Sequence, residues 1–222
     1  RKILKNKIFI FGSKPDTELP TFKADIVFSA NGGAHYAAKY LKKFNNDKIM
    51  HINISTDQGF IKIPKLREYV ENSSPDKIIF RGNRIKIEKH SKIIANSSID
   101  LEYQSYISQF IFQRKFFKKG MLDLILAEMN YERDSYINQF LYVLKLFKSG
   151  VFLGCSTGIY TALFALSNFP NHKVYLYGIS LSGGRQFYNN QKISDKNFKR
   201  YNVDKNLFEN LKQNFKDRIK FC

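Results

Sequence analysis

The stretch KIFIFGSKPDTELPTFKADIVFSANGG (residues 7–33) decides the fold. KIFIF (7–11) is a continuous apolar run that stops at Gly12, and DIVFSA (25–30) is a second that stops at Asn31-Gly32-Gly33. Strands covered on one face only alternate apolar and polar residues, whereas strands buried on both faces read as unbroken apolar runs. Two such runs, each ending in a glycine turn, predict buried parallel strands. The second turn opens directly into AHYAAKYLKK, an alanine-rich helix.

The same alternation continues outward. KIMHINI (48–54) and DKIIF (76–80) read as the third and fourth strands, HKVYLYGI (172–179) as another, and RIKFC as a short last one. STGIYTALFAL places Ile159, Ala162, Leu163 and Leu166 at helical spacing, and Asp204–Lys216 does so with Leu207, Phe208 and Leu211. Residues 99–148 read as a long, aromatic-rich and mostly helical middle. The expected fold is therefore α/β, a mainly parallel sheet with helices on both faces, in one domain spanning residues 1–222.

Composition narrows the function classes. Hydrophobic residues make up 43% and aromatics 15% of 222 residues, enough for a packed core and against disorder. No apolar run approaches the roughly 20 residues of a membrane span. The start, RKILKNKIFIFG, reads as the approach to a first strand and not as a signal peptide. Cys155 and Cys222 do not form a disulfide framework, and no spacing suggests zinc, so a cytoplasmic setting is expected. Lys and Arg total 37 against 19 acidic residues, a net charge of +18. That excess predicts an anionic partner, or reflects a lysine-rich solvated surface. No nucleic-acid module accompanies it, so nucleic acid is a secondary expectation.

In parallel α/β sheets ligands bind beyond the carboxyl ends of the strands. Three loops are predicted to lie there. Gly12-Ser13-Lys14-Pro15-Asp16 offers close backbone approach and a cation, the chemistry a phosphate needs, although Gly-Ser-x-Pro is also an ordinary turn. Asn31-Gly32-Gly33 places an amide after a buried strand, yet Asn-Gly is also a common turn. Ser156-Thr157-Gly158 precedes an apolar helix, where it caps the first turn or holds a phosphate on its amides.

CSTGIYTALFALSNFPNHKVYLYGIS (155–180) resembles the small sialyl motif of animal sialyltransferases and the equivalent segment of the bacterial lipooligosaccharide sialyltransferases, glycosyltransferase family 42. FIFGSKPDTELPTFKADIVFSANGG is similar to the large sialyl motif. The resemblance covers roughly the first 60 residues and the stretch 150–190. It implies a Rossmann-like, GT-A-like variant fold in which 99–148 forms the acceptor side. It also implies transfer of a sialic-acid-like sugar from a CMP-sugar to a glycan acceptor such as lipooligosaccharide or capsule, without a metal or other cofactor.

Residue by residue, the resemblance places Gly12 and Ser13 beside phosphate and ribose, and Asn31, with Gly32 beside it, and Asn53 near the cytidine. Ser156, Thr157 and Gly158 bind the nucleotide at the helix start, and Gly178 leaves room for it. Tyr188 matches a tyrosine that holds the departing phosphate. Arg185, in the same SLSGGRQFYNN segment, compensates where Ser182 replaces a second one. Tyr201 stands where these families carry the histidine that deprotonates the acceptor. A tyrosine with pKa about 10 is a weaker base at neutral pH. A peripheral position at the inner face of the bacterial cytoplasmic membrane follows from such an acceptor, and the sequence also allows a homo-oligomer. Two rivals stand beside this reading. One is a non-catalytic basic binding protein for an anionic partner. The other is a pyrophosphokinase-like enzyme, suggested by NGGA and opposed by the lack of acidic residues clustered around Asp57.

Overall fold

The computed structural model describes residues 6–44, 48–82, 84–85, 98–116, 137, 141, 155–179 and 198–222, with Tyr106 and residues 198–203 described by their backbone alone. Seven strands form one parallel sheet: β1 (Asn6–Phe11), β2 (Ile26–Ala30), β3 (Met50–Thr56), β4 (Lys77–Arg81), β5 (Asp100–Gln104), β6 (His172–Tyr177) and β7 (Ile219–Phe221). Their spatial order is β5-β4-β3-β2-β1-β6-β7. The chain moves from β1 outward to β5, then returns to lay β6 on the other side of β1. This is a Rossmann-like α/β fold, with its topological switch between β1 and β6.

Helices cover both faces, because the side chains of each central strand alternate between two apolar layers. On one face Phe9, Phe11 and Val27 pack with Tyr36, Ala37 and Tyr40 of α1 (Ala34–Lys42). Beside them, Ile78 and Phe80 meet α2 (Asp57–Lys62) and α3 (Pro64–Asn72) through Phe60, Leu66 and Val70. On the other face Ile8, Ile10, Phe28 and Ile54 pack with Phe110 of α4 (Tyr106–Arg114), Ile159, Leu163 and Leu166 of α5 (Thr157–Asn168), and Leu207 and Leu211 of α6 (Phe198–Asn214). A fully buried side chain of this size stabilises by about 1.5–3 kcal/mol, so these layers dominate the folding energy.

Polar groups fix the packing at defined points. Tyr40 Oη accepts the Ala24 amide at 2.8 Å and donates to the Phe22 carbonyl at 3.0 Å, which ties the β1–β2 connection to α1. The Arg218 guanidinium donates to the Leu166 and Phe169 carbonyls at 3.0 and 2.9 Å, a cation at the carboxyl end of α5.

Two differences from the sequence expectation stand out. β5 lies at the start of the stretch read as mostly helical. Its sequence, DLEYQ, is charged at alternate positions, as suits an edge strand whose residues are only partly covered. Lys77 of β4 holds it in place through Asp100 at 3.1 Å and Glu102 at 2.8 Å. α6 begins at Phe198, six residues before the expected start. The middle stretch expected to form an acceptor side, beyond Phe116 and apart from Ile137 and Leu141, lies outside the described residues. Among the described residues no helix is long and apolar enough to cross a membrane.

Candidate functional site

The switch between β1 and β6 opens the sheet at its carboxyl edge, which is where open α/β sheets form their ligand crevice. Two residues with almost no side chain, Gly12 and Gly178, follow these strands. The Gly12 amide donates to the Tyr177 carbonyl at 2.8 Å, and the Lys14 amide donates to the Gly178 carbonyl at 2.9 Å. A methyl group on Gly12 would collide with the Gly178 carbonyl and come within 2.8 Å of Ile179. Gly178 has φ +64°, a left-handed conformation suited to glycine, and Thr17 occupies the space above it. Thr17 Oγ1 donates to the Lys14 carbonyl at 2.7 Å and so closes the GSKPD turn, while Lys14 itself is exposed.

The NGG turn after β2 joins this point directly. Gly33 lies against the Phe11 carbonyl so closely that a β-carbon has no space there. Ser13 Oγ donates to the Ala30 carbonyl at 3.4 Å. The start of α5 arrives from the opposite face, and Gly158 brings it against Ile179, whose side-chain carbons are 3.2 Å from where a β-carbon would be. The three turns singled out in the sequence thus meet around Gly12, Gly178 and Ile179.

Within this group the polar residues divide into those that face the edge and those spent inside it. Asn31 has φ 50°, and its side-chain oxygen accepts the Thr56 amide at 3.1 Å, so it fastens the NGG turn to the end of β3. Asn53 is 0% exposed. Its amide donates to Ser29 Oγ at 2.8 Å and to the Asn31 carbonyl at 3.3 Å, and its oxygen accepts from Ser55 Oγ at 2.6 Å. The expected contact between Asn53 and a nucleotide is therefore corrected. A strand residue inside the sheet has no surface to offer, and Asn53 props the NGG turn from beneath. Ser29 Oγ continues this buried network to His51 Nε2 at 2.9 Å.

Ser156 caps α5, its Oγ accepting the Ile159 amide at 3.4 Å. Thr157 is buried at the first helical position, and its carbonyl accepts from Thr161 Oγ1 at 2.7 Å. The amides of Thr157 and Gly158 belong to the first turn, where no intrahelical acceptor exists. The Ser156 amide has a partner that sequence reasoning missed: the buried carboxylate of Asp204, at 2.7 Å, reaching across from α6. A signal was present. Asp204 precedes Leu207, Phe208 and Leu211 by three, four and seven residues, so an acid stands on the buried face of the helix. Tyr201 lies on α6 one turn before Asp204, with its side chain outside the described residues. Arg185 and Tyr188 also lie outside them.

A second polar group, also missed, follows the edge toward β5. Arg81, at the end of β4, is buried. It donates to Gln109 Oε1 at 2.9 Å and to the Cys155 carbonyl at 3.2 Å, and its guanidinium lies 4.0 Å from the centre of the Tyr160 ring. Tyr160 in turn donates to Gln104. Burial pushes the Tyr160 phenol well above its ordinary pKa, a shift that the adjacent Arg81 charge opposes. The group links β4, β5, α4 and α5 just behind the STG turn. Asp57 is buried at the start of α2, just after β3, with its carboxylate packed against Gly82. His35, on α1, rests its ring 4.8 Å from that of Tyr69. Burial, followed by the charges of Lys39 and Lys65, lowers its pKa.

No family model, no curated protein and no solved structure matches this chain, so the edge described above is the basis for a functional reading.

Proposed function

We propose that this chain is a glycosyltransferase that moves a sialic-acid-like sugar from a CMP-sugar donor to a glycan acceptor. The observation that supports the reading is the meeting of the GSKPD, NGG and STG turns at the β1–β6 switch. Gly12 and Gly33 let these turns pack backbone against backbone there, Gly178 is covered by Thr17, and the first-turn amides of α5 adjoin the same point. Backbone amides and a helix start favour an anionic ligand, and Lys14 at the rim adds a cation.

In this reading Gly12 and Ser13 border the phosphate and ribose, and Ser156, Thr157 and Gly158 hold the nucleotide against α5. Asn31, Gly32 and Asn53 shape the turn on which the base rests. Transfer breaks the bond from the sugar to the CMP phosphate and forms one to the acceptor oxygen, which loses its proton. The leaving group is a phosphate monoester, so its stabilisation is the first task, assigned to Tyr188 and Arg185. Removal of the acceptor proton is the second, assigned to Tyr201. The acceptor side is formed by the middle of the chain. The protein works at the inner face of a bacterial cytoplasmic membrane without spanning it.

The test is a thermal or chemical unfolding shift with nucleotides. CMP at about 100 times its Kd stabilises the fold by roughly 2.7 kcal/mol. Equal shifts with CMP, UMP, GMP and AMP, or none with any, overturn the reading. A magnesium-dependent shift with ATP instead supports a pyrophosphokinase-like enzyme.

A further inference from the structure

Helix α4 buries polar side chains beside Phe110 and exposes apolar ones. The side chains it buries include two glutamines, Gln109 and Gln113, while Ile107 and Ile111 are 69% and 55% exposed. The inward face is held by specific bonds. Gln109 Oε1 accepts from Arg81 and its amide donates to the Gln104 carbonyl at 2.8 Å, while Gln113 Oε1 accepts the Cys155 amide at 2.7 Å. These bonds fix the rotation of the helix, so the isoleucines point outward by specification. Ile107 and Ile111 are four residues apart, and Arg114 and Lys115 extend the same exposed stripe by one turn. The sequence from Ser105 to Lys119 holds four basic residues and no acidic one. Ile137 and Leu141, a second exposed apolar pair four residues apart, are 71% and 56% exposed.

We infer that the outer face of α4 docks on an anionic lipid surface, with Ile107 and Ile111 entering the acyl boundary and Arg114 and Lys115 meeting the headgroups. Charge selects this occupant. A second copy of the chain also carries +18, so face-to-face pairing sets like charges against each other. Nucleic acid satisfies the cations but leaves two isoleucines facing phosphate and sugar. An anionic bilayer takes both halves of the stripe, the apolar pair and the flanking cations, as interfacial helices do.

The experiment is sedimentation of the full chain with phosphatidylglycerol vesicles and with phosphatidylcholine vesicles, for wild type and two double variants. Wild type is expected to bind the anionic vesicles and to lose most of that binding in phosphatidylcholine. Ile107→Ser with Ile111→Ser keeps the thermal transition of wild type, since neither side chain is buried, and lowers vesicle affinity about tenfold or more. Arg114→Gln with Lys115→Gln lowers it about fivefold per charge at low salt. The proposal is overturned if the isoleucine variant binds as wild type does, or if phosphatidylcholine binds equally well. It is also overturned if sedimentation velocity shows a dimer that the isoleucine substitutions dissolve, or if RNA binds through this face in preference to vesicles. Nucleotide binding does not enter any of these readouts, so the docking surface stands or falls independently of the transferase reading.

Discussion

The carboxylate of Asp204 accepts the backbone N–H of Ser156 at 2.7 Å, tying α6 to the first turn of α5. The bond joins the segment that carries Tyr201 to the turn proposed to hold the nucleotide, and it gives a backbone N–H at the start of α5 an acceptor.

Replacing Asp204 with Ala leaves the Ser156 amide without this acceptor and is expected to cost about 1–3 kcal/mol in chemical denaturation. Asp204→Asn keeps an oxygen that can accept the same bond and is expected to lose less. If both variants unfold at the wild-type midpoint, the contact contributes nothing net and the coupling of α6 to α5 has another source.

The glycines of the edge predict unequal responses. A methyl group at Gly12 meets the backbone carbonyl of Gly178, which has no alternative rotamer, so Gly12→Ala is expected to cost about 1–3 kcal/mol and to weaken the CMP-dependent shift. At Gly158 the same methyl meets no backbone but the Ile179 side chain, at 3.2 Å, which has to shift by only a few tenths of an ångström, and alanine favours the helix. Gly158→Ala is therefore expected to stay within about 1 kcal/mol of wild type. Melting temperatures that fall equally for both variants would contradict the backbone-on-backbone contact at Gly12.

His51 predicts a pH dependence. Burial holds its imidazole well below the usual value of 6.5, at about 4, although Ser73 and Asp76 work in the other direction. The folded-state pKa is depressed, so between pH 6.5 and about 4 the unfolded chain binds a proton that the folded chain refuses. Stability must then fall as pH falls through that window, by at most about 3 kcal/mol. His51→Gln removes this component and leaves only the slope contributed by carboxylates. Denaturation midpoints measured from pH 7 to pH 4 for the two proteins give the difference directly, and parallel curves would mean that His51 does not titrate as proposed.

The chemical assignments are tested at Tyr188 and Tyr201. Tyr188→Phe removes one hydroxyl and is expected to lower kcat with no measurable loss of folding stability. Tyr201→His introduces a base whose ordinary pKa lies near neutrality, and is expected to maintain or raise transfer at pH 7 and to shift the acid limb of the rate profile. Donor hydrolysis and acceptor transfer measured in parallel separate the two roles. Full activity of Tyr188→Phe together with an unchanged profile for Tyr201→His removes both assignments.

The sequence by itself determined the strands that are buried on both faces. KIFIF, DIVFSA, MHINI, KIIF and VYLY are legible because a central parallel strand is apolar at most positions, and glycines follow β1, β2, β4 and β6 at the carboxyl edge of the sheet. The tertiary structure decided what local composition does not encode. β5 became a strand because Lys77 and the edge of β4 pair with it, although DLEYQ has no apolar run of its own. Asn53 looked like a contact residue and is a buried prop, because strand pairing places Ser29, Asn31 and Ser55 around its amide. Arg81 and Asp204 are polar residues whose partners are distant in the chain: Gln109 and Cys155 for one, Ser156 for the other. Such bonds depend on the packing of α4, α5 and α6 over one face of the sheet. Periodicity finds the face a helix buries, but only the assembled layers determine which polar atoms meet beneath it.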